Sequence, residues 1–365
     1  KMETKNNITP AQATHPGELL KDEIDATPGL NQRKLAKEID VQPSLLNEII
    51  KGKRPITADI AILLEKVLGI SADYWMRFQS QYEIDAARIK EKNIKKINNI
   101  AQWSTIKEYV PVSYFRRKGY LSDDIEGDIR EIKTIYGVED VNSLASSLSD
   151  QRVAYYRKST KSKVDDKNMF AWSSLALFEA KKQKVNSFDD SRLDELCETL
   201  NAIFYENVDT PERVKTALNK YGIKMLLIDK LEKTPIDGFS FWSDNNPAIA
   251  MTLRYNRIDN FAFTIMHEIG HIDLHLSKEK DKQFMDLSSM QHTDKYETQA
   301  NNYAQEKLIP TDLWQEILNN HPSLNDDTIR AIGDQYKIHP AIVLGRVCFE
   351  TDSYARKTTI DKKMK

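Results

Sequence analysis

The sequence predicts a mainly helical protein with one small β-sheet, an α+β fold. Three observations lead there. Capping and turn residues divide roughly the first 75 residues after the tail into five short helices. Short apolar runs over residues 223–228, 239–242 and 248–253 read as strands, bounded by Gly238 and the Asn245-Asn246-Pro247 turn. An apolar helical pattern then follows over residues 260–276.

The elements follow in order. Residues 1–14 are polar and aperiodic and are expected to be a flexible tail. Pro16 sits where a first helical turn accepts proline, a helix follows over 18–24, and Thr27-Pro28-Gly29 breaks it. Asn31 caps a helix through Glu38. A turn at Asp40 leads into a helix over 42–51, with Gly52 as its C-terminal cap. Thr57 caps 58–68, Gly69 stops it, and Ser71 caps a fifth helix through Trp75 and beyond. Residues 15–88 are therefore expected to form one five-helix module. Residues 89–189 are charged and mostly helical in pattern, punctuated by Pro111, Gly119, Gly127 and Gly137, and read as a helical connector. Residues 190–356 read as a second domain. It comprises helices over 190–221, the three strands, the helix over 260–276 capped by Asp259, a helix over 295–307, and two more over 326–336 and 340–349.

Composition limits the function classes. With 365 residues, 40% hydrophobic and 30% charged, the chain has material for more than one globular core. Lys+Arg 53 against Asp+Glu 55 excludes a wholesale polycation but not a local basic patch. Two cysteines exclude a disulfide framework and a Cys-rich zinc module, and a reducing, cytoplasmic setting is expected. No run approaches the length of a membrane span and no basic-then-apolar leader is evident, so neither membrane nor export is expected.

Helix, tight turn, helix is a DNA-reading unit. Val41, Leu45 and Ile49 recur every four residues and are expected as the buried stripe of the second helix. Gln42, Ser44, Asn47 and Lys51 would then face outward, offering the amide, hydroxyl and ammonium groups that base edges and phosphates need. Lys53 and Arg54 extend this cluster toward phosphates. Between residues 15 and 77, nine Lys/Arg stand against ten Asp/Glu, so DNA affinity would rest on these few side chains. The bland alternative is a helical protein dock.

The segment from His15 to about Arg88 resembles the HigA-type antitoxins of the Xre/Cro helix-turn-helix superfamily. His15-Pro16-Gly17-Glu18-Leu19-Leu20, Leu35-Ala36, the run from Asn47 to Thr57, and Ser71-Ala72-Asp73-Tyr74-Trp75 carry the likeness. The resemblance implies a dimer that binds a palindromic operator, represses its own operon and often neutralises a paired toxin. The chain departs from the pattern at Asp40, where the family has a turn glycine; aspartate tolerates the left-handed conformation.

His267-Glu268-Ile269-Gly270-His271 is an H-E-x-x-H motif within the apolar helix. Residues i and i+4 share a helix face, so both imidazoles can hold one Zn²⁺ with Glu268 beside a water in the open position. Zinc would acidify that water, and Glu268 would take its proton and pass it to a leaving amine. A third ligand is required. Glu297, 30 residues after His267 at a helix start, ranks first, His275 second and His292 third. Arg254, Tyr255, His292 and Tyr296 are the candidates for a transition-state stabiliser.

Residues 190–350 resemble the ImmA/IrrE family of zinc metallopeptidases. The likeness rests on Met266 to His275, on Glu297-Thr298-Gln299-Ala300-Asn301-Asn302-Tyr303-Ala304, and on Leu308-Ile309-Pro310. It implies a thermolysin-like zincin core with His267, His271 and Glu297 as zinc ligands, Glu268 as base, and a regulatory protein as substrate. The expected whole is a cytoplasmic, homodimeric regulator. Operator DNA is one partner, and a repressor or toxin is another, cleaved by the zinc domain unless the chain cleaves itself. The alternative is a non-enzymatic antitoxin or repressor whose zinc domain senses or binds that partner. Residues 326–346 also have a helix-turn-helix look, but a buttress for the peptidase core is the expected role.

Overall fold

The computed structural model describes residues 11–156, 164–253, 256–287 and 295–365. Residues 1–10 of the expected tail therefore lie outside the described residues, as do Arg254, Tyr255 and His292. The protein is mostly helical with one small sheet, and the chain divides into two compact units, 1–101 and 102–365.

The first unit begins with α1 (Pro16–Ala26), α2 (Gln32–Glu38), α3 (Pro43–Ile50), α4 (Ala58–Leu68) and α5 (Ala72–Ile89). Four of the five starts have a side-chain cap. His15 Nδ1 accepts from Gly17 N at 2.9 Å, and Asn31, Thr57 and Ser71 side chains accept from backbone N–H groups of α2, α4 and α5. Asp40 has φ of 52°, the left-handed turn the sequence requires there. Leu20, Leu35, Leu46, Ile49, Leu64 and Trp75 form the core. The stripe on α3 differs from expectation: Leu46 and Ile49 are buried, whereas Val41 and Leu45 are only half-buried. Val41 precedes the cap position of α3 and so lies off its stripe, while the four-residue step from Leu45 to Ile49 drifts about 40° around the helix and leaves Leu45 at the edge of the core that Leu46 fills. Gly17 is where α1 crosses α3: a Cβ there would lie 2.0 Å from the carbonyl oxygen of Ile49.

α6 (Glu91–Tyr109) contains the boundary between the units. The second unit continues with α7 (Val112–Arg117), α8 (Ile125–Tyr136), α9 (Leu144–Tyr156), α10 (Asp166–Lys182), α11 (Leu193–Glu206) and α12 (Thr210–Lys220). Strands β1 (Lys224–Leu227), β2 (Ile236–Ser243) and β3 (Asn246–Met251) follow, then α13 (Ile258–His271), which runs into a π-helical turn at Ile272–Leu276. β4 (Gln283–Leu287), α14 (Lys295–Leu308), α15 (Thr311–Asn320), α16 (Asp326–Tyr336) and α17 (Pro340–Glu350) complete it.

The sheet order is β1-β3-β2-β4. β1 runs parallel to β3, and β2 is antiparallel to both β3 and β4. Side chains alternate across it. Met225, Ile249, Met251 and Phe284 join the core built on α11 to α17. Leu226, Phe239, Phe241, Ala248, Ala250, Met285 and Leu287 join a second core with Phe115, Ile132, Phe170 and Trp172. The sheet is thus apolar on both faces and needs a cover on each. Helices within residues 102–182, read from the sequence as part of a connector, supply the rear cover. β4 and α15 are elements the sequence reading lacked. α13 begins two residues earlier than expected, with Arg257 at the cap position and Asp259 in the first turn, paired to Arg257. α16 and α17 bury Ile329, Ile332, Val343, Leu344 and Val347 in the α13 core, as a buttress does.

Candidate metal centre

α13 is buried from Thr264 to His271, and His267, Glu268 and His271 are each 0% exposed. Gly270 lets α14 approach, since a Cβ there would lie 3.1 Å from Tyr303 and 3.2 Å from Ala300. That approach carries Glu297, on the first turn of α14, to the motif. His267 Nε2 and His271 Nε2 lie 3.1 Å apart. Glu297 reaches His267 Nε2 at 3.4 Å with one oxygen and His271 Nε2 at 3.6 Å with the other. Two imidazole nitrogens and a carboxylate, all within 4.8 Å of one another, form a group able to hold a metal ion.

The surroundings fit a cation. Asn301 Oδ1 can only accept, so it takes the His267 Nδ1 proton, and in the neutral ring His267 Nε2 faces His271 Nε2 as a bare lone pair. Both oxygens of Glu268 are buried without a hydrogen-bond partner, and Glu297 Oε2 has His267 Nε2 no nearer than 3.4 Å, a costly arrangement for carboxylates that a cation would relieve. Nitrogen and carboxylate ligands in a two-His, one-Glu set with an open position suit zinc.

Electrostatics follow from burial and crowding. Burial raises the Glu268 carboxyl to about 8; His267 and the nearby Ser240 hydroxyl oppose the shift, and Asp286 and Glu297 add to it. Burial works to lower His267, but Glu297, Glu268 and Asp286 outweigh it and raise the imidazole to about 9. Burial lowers His271 to about 4 despite Glu297. For Glu297, burial is outweighed by its contacts to the two imidazoles, which hold it well below the usual carboxylate range.

Several supporting residues were not legible in the sequence. His267 Nδ1 lies 2.9 Å from Asn301 Oδ1. The His271 ring stacks on Phe284 of β4, centroids 4.4 Å apart. Gly238 on β2 makes room for Glu268: a Cβ there would sit 2.0 Å from Glu268 Oε1. Asn301 lies one helical turn beyond Glu297, a spacing that could have flagged it. Phe284 and Gly238 arrive through the sheet, which no local signal announces. His275, the second-ranked ligand, points its Nδ1 at His271 Nδ1, 3.1 Å away, on the side opposite the cluster. Tyr296 packs edge-on to His275 and its hydroxyl accepts from Lys282 Nζ at 2.9 Å.

In the first unit, Gln42 stands at the cap position of α3 with no side-chain cap bond, and it, Ser44, Lys51, Lys53 and Arg54 are exposed with Asn47 half-buried. Ser44 and Asn47 share a shallow groove with Asn31, Gln32 and Arg33 of the preceding helix start, residues the sequence reading did not select. Arg54 Nε donates to Glu48 Oε2 at 2.5 Å, which partly neutralises it.

These two sites define a class: a helix-turn-helix module joined to a domain with a two-His, one-Glu metal-type centre. Family models match both parts of the chain. A helix-turn-helix family model matches residues 28–75, and the IrrE N-terminal-like domain matches residues 219–346. Virulence-associated protein I of Dichelobacter nodosus is 40% identical over 93 residues, which span 26% of this chain and 83% of that protein. The uncharacterized HTH-type transcriptional regulator YddM of Escherichia coli (strain K12) is 26% identical over 77 residues, 21% of this chain and 81% of that one. Among solved structures, an addiction module antidote protein of the HigA family from Coxiella burnetii is 33% identical, covering 24% of this chain and 92% of that chain with a TM-score of 0.23. Pseudomonas aeruginosa antitoxin HigA with the higBA promoter is 35% identical, covering 24% of this chain and 91% of that chain with a TM-score of 0.22. The chain belongs to the Xre-like helix-turn-helix family by its amino-terminal unit and carries an IrrE/ImmA-like domain behind it.

Proposed function

We propose that this protein is a cytoplasmic, operator-binding regulator of antitoxin type whose carboxy-terminal domain is a zinc-dependent endopeptidase. Residues 15–88 read DNA, as a homodimer, through Gln42, Ser44, Asn47, Lys51, Lys53 and Arg54. Residues 190–356 cleave a regulatory protein, a repressor or a toxin, or this chain itself. The exposed polar end of α3 supports the first half, together with a relative described as an HTH-type transcriptional regulator. The observation that carries the second is the convergence of His267, His271 and Glu297 beside a buried, unpartnered Glu268.

His267, His271 and Glu297 would hold the ion. Zinc, when bound, supplies a Lewis acid that polarises a peptide carbonyl and acidifies water. Glu268, as the carboxylate, accepts a proton from the attacking water and returns it to the departing nitrogen. Asn301 fixes the orientation of His267. Low solvent access strengthens each of these interactions.

Glu268→Gln tests the reading with the purified chain and the product of a neighbouring repressor-like or toxin-like gene. The variant should keep its zinc and its operator affinity, and cleavage should fall by about 10²-fold or more. Unchanged processing by the variant would leave only the non-enzymatic antitoxin reading.

A further inference from the structure

His275 is buried at 6% exposure and its ring is held on two sides, by Phe284 at 5.2 Å and by Tyr296 edge-on at 4.9 Å. Its nitrogens have one partner each: Nδ1 lies 3.1 Å from His271 Nδ1, and Nε2 lies 3.1 Å from Gln299 Oε1. We propose that His275, backed by Gln299, is a positioning residue that locks His271 in the tautomer presenting a bare Nε2 to the metal. The inference rests on the zinc site proposed above.

The proton count forces the assignment. An amide oxygen only accepts, so His275 Nε2 donates to Gln299. A neutral imidazole has one N–H, so His275 Nδ1 is left with a lone pair. His271 Nδ1 must then donate to it, and the lone pair of His271 lies on Nε2, the atom facing His267 and Glu297. The opposite orientation of the Gln299 amide would reverse every proton in the row and put a hydrogen on His271 Nε2, where it would block a metal. His267 has the same lock in a shorter form, with Asn301 Oδ1 alone against its Nδ1.

The π-helical turn makes the row possible. On an ordinary helix, residue i+4 lies about 40° further round. Ser277 N donates to Ile272 O at 2.9 Å, five residues back, and the wider turn reduces that offset so that the His275 ring meets the outer edge of His271.

Two measurements test the proposal on the full-length chain. Long-range ¹H–¹⁵N spectra of the ¹⁵N-histidine-labelled, metal-free protein should show His271 protonated at Nδ1, its signals identified by their loss in His271→Gln. Cobalt(II) titration followed by visible absorption should show His275→Asn, which keeps an acceptor in place of Nδ1, binding close to wild type. His275→Leu, which removes it, should bind about ten- to a hundredfold more weakly. A proton on His271 Nε2 in the wild type would overturn the proposal. So would a His275→Leu affinity within twofold of wild type, or a His275→Asn affinity as low as that of His275→Leu. Should His275→Leu not fold, the wild-type tautomer and the Asn variant decide. A wild-type chain that takes no cobalt would refute the zinc site itself, and this inference with it.

Discussion

Burying a carboxyl with neither oxygen hydrogen-bonded costs on the order of 1–3 kcal/mol or more, and Glu268 sits that way at 0% exposure. Its neighbours are arranged around it: Gly238 has no side chain to exclude it, and His267 stands close enough to oppose its protonation. One consequence is a proton inventory. With His267 raised to about 9 and Glu268 to about 8, the metal-free centre holds protons on both near pH 7. A metal needs His267 neutral, so binding must expel its proton. Calorimetry of zinc binding in buffers of different ionisation heat should report at least one proton released at pH 7. Because the expelled proton comes from a group with a raised pKa, affinity should climb as pH rises from 7 toward 9 and level off above. Zinc binding with no buffer dependence would contradict this. The three side chains that meet at the centre are legible in the sequence because their signal is local: His267 and His271 share a helix face, and Glu297 opens a helix. The placement of His275 is not, since helical geometry alone cannot foresee the π turn at which its ring meets His271.

Elements show the same division between local and distant causes. Caps in the first unit, at Asn31, Thr57 and Ser71, are readable because a cap acts within three residues. β4 is not: Gln283–Leu287 is five residues with no turn pair to announce it, and it becomes a strand only because β2 presents an edge. The seating of α1 on α3 is likewise tertiary, and it yields a sharp prediction. Gly17→Ala would drive a Cβ to 2.0 Å from Ile49 O, a backbone atom that cannot rotate away. Overpacking of this kind costs about 1–3 kcal/mol. Urea denaturation should show that loss in the unit bearing α3 while zinc content is unchanged; a variant as stable as wild type would mean that α1 and α3 can separate freely.

At the scale of the whole molecule, near-neutral charge and a sheet apolar on both faces set the terms. The double-sided sheet is foreshadowed by Phe239-Ser240-Phe241-Trp242 and Ala248-Ile249-Ala250-Met251, where few positions are polar. It explains why helices over 102–182 form a layer of the second unit. The charge balance makes DNA affinity depend on few cations. Replacing Lys51 and Lys53 together with Ala should reduce the magnitude of the log-affinity against log-salt slope by about 2, near 0.9 for each phosphate no longer neutralised. Arg54, already paired with Glu48, should matter less. An unchanged slope would place the DNA interface elsewhere. His267, His271 and Glu297 form a group able to hold a metal ion. The most direct test of that ability is zinc content by elemental analysis of the purified wild type beside Glu297→Ala. One zinc per wild-type chain, lost or sharply reduced in the variant, is the predicted result; a wild type without zinc, or a variant that keeps its full complement, would contradict it.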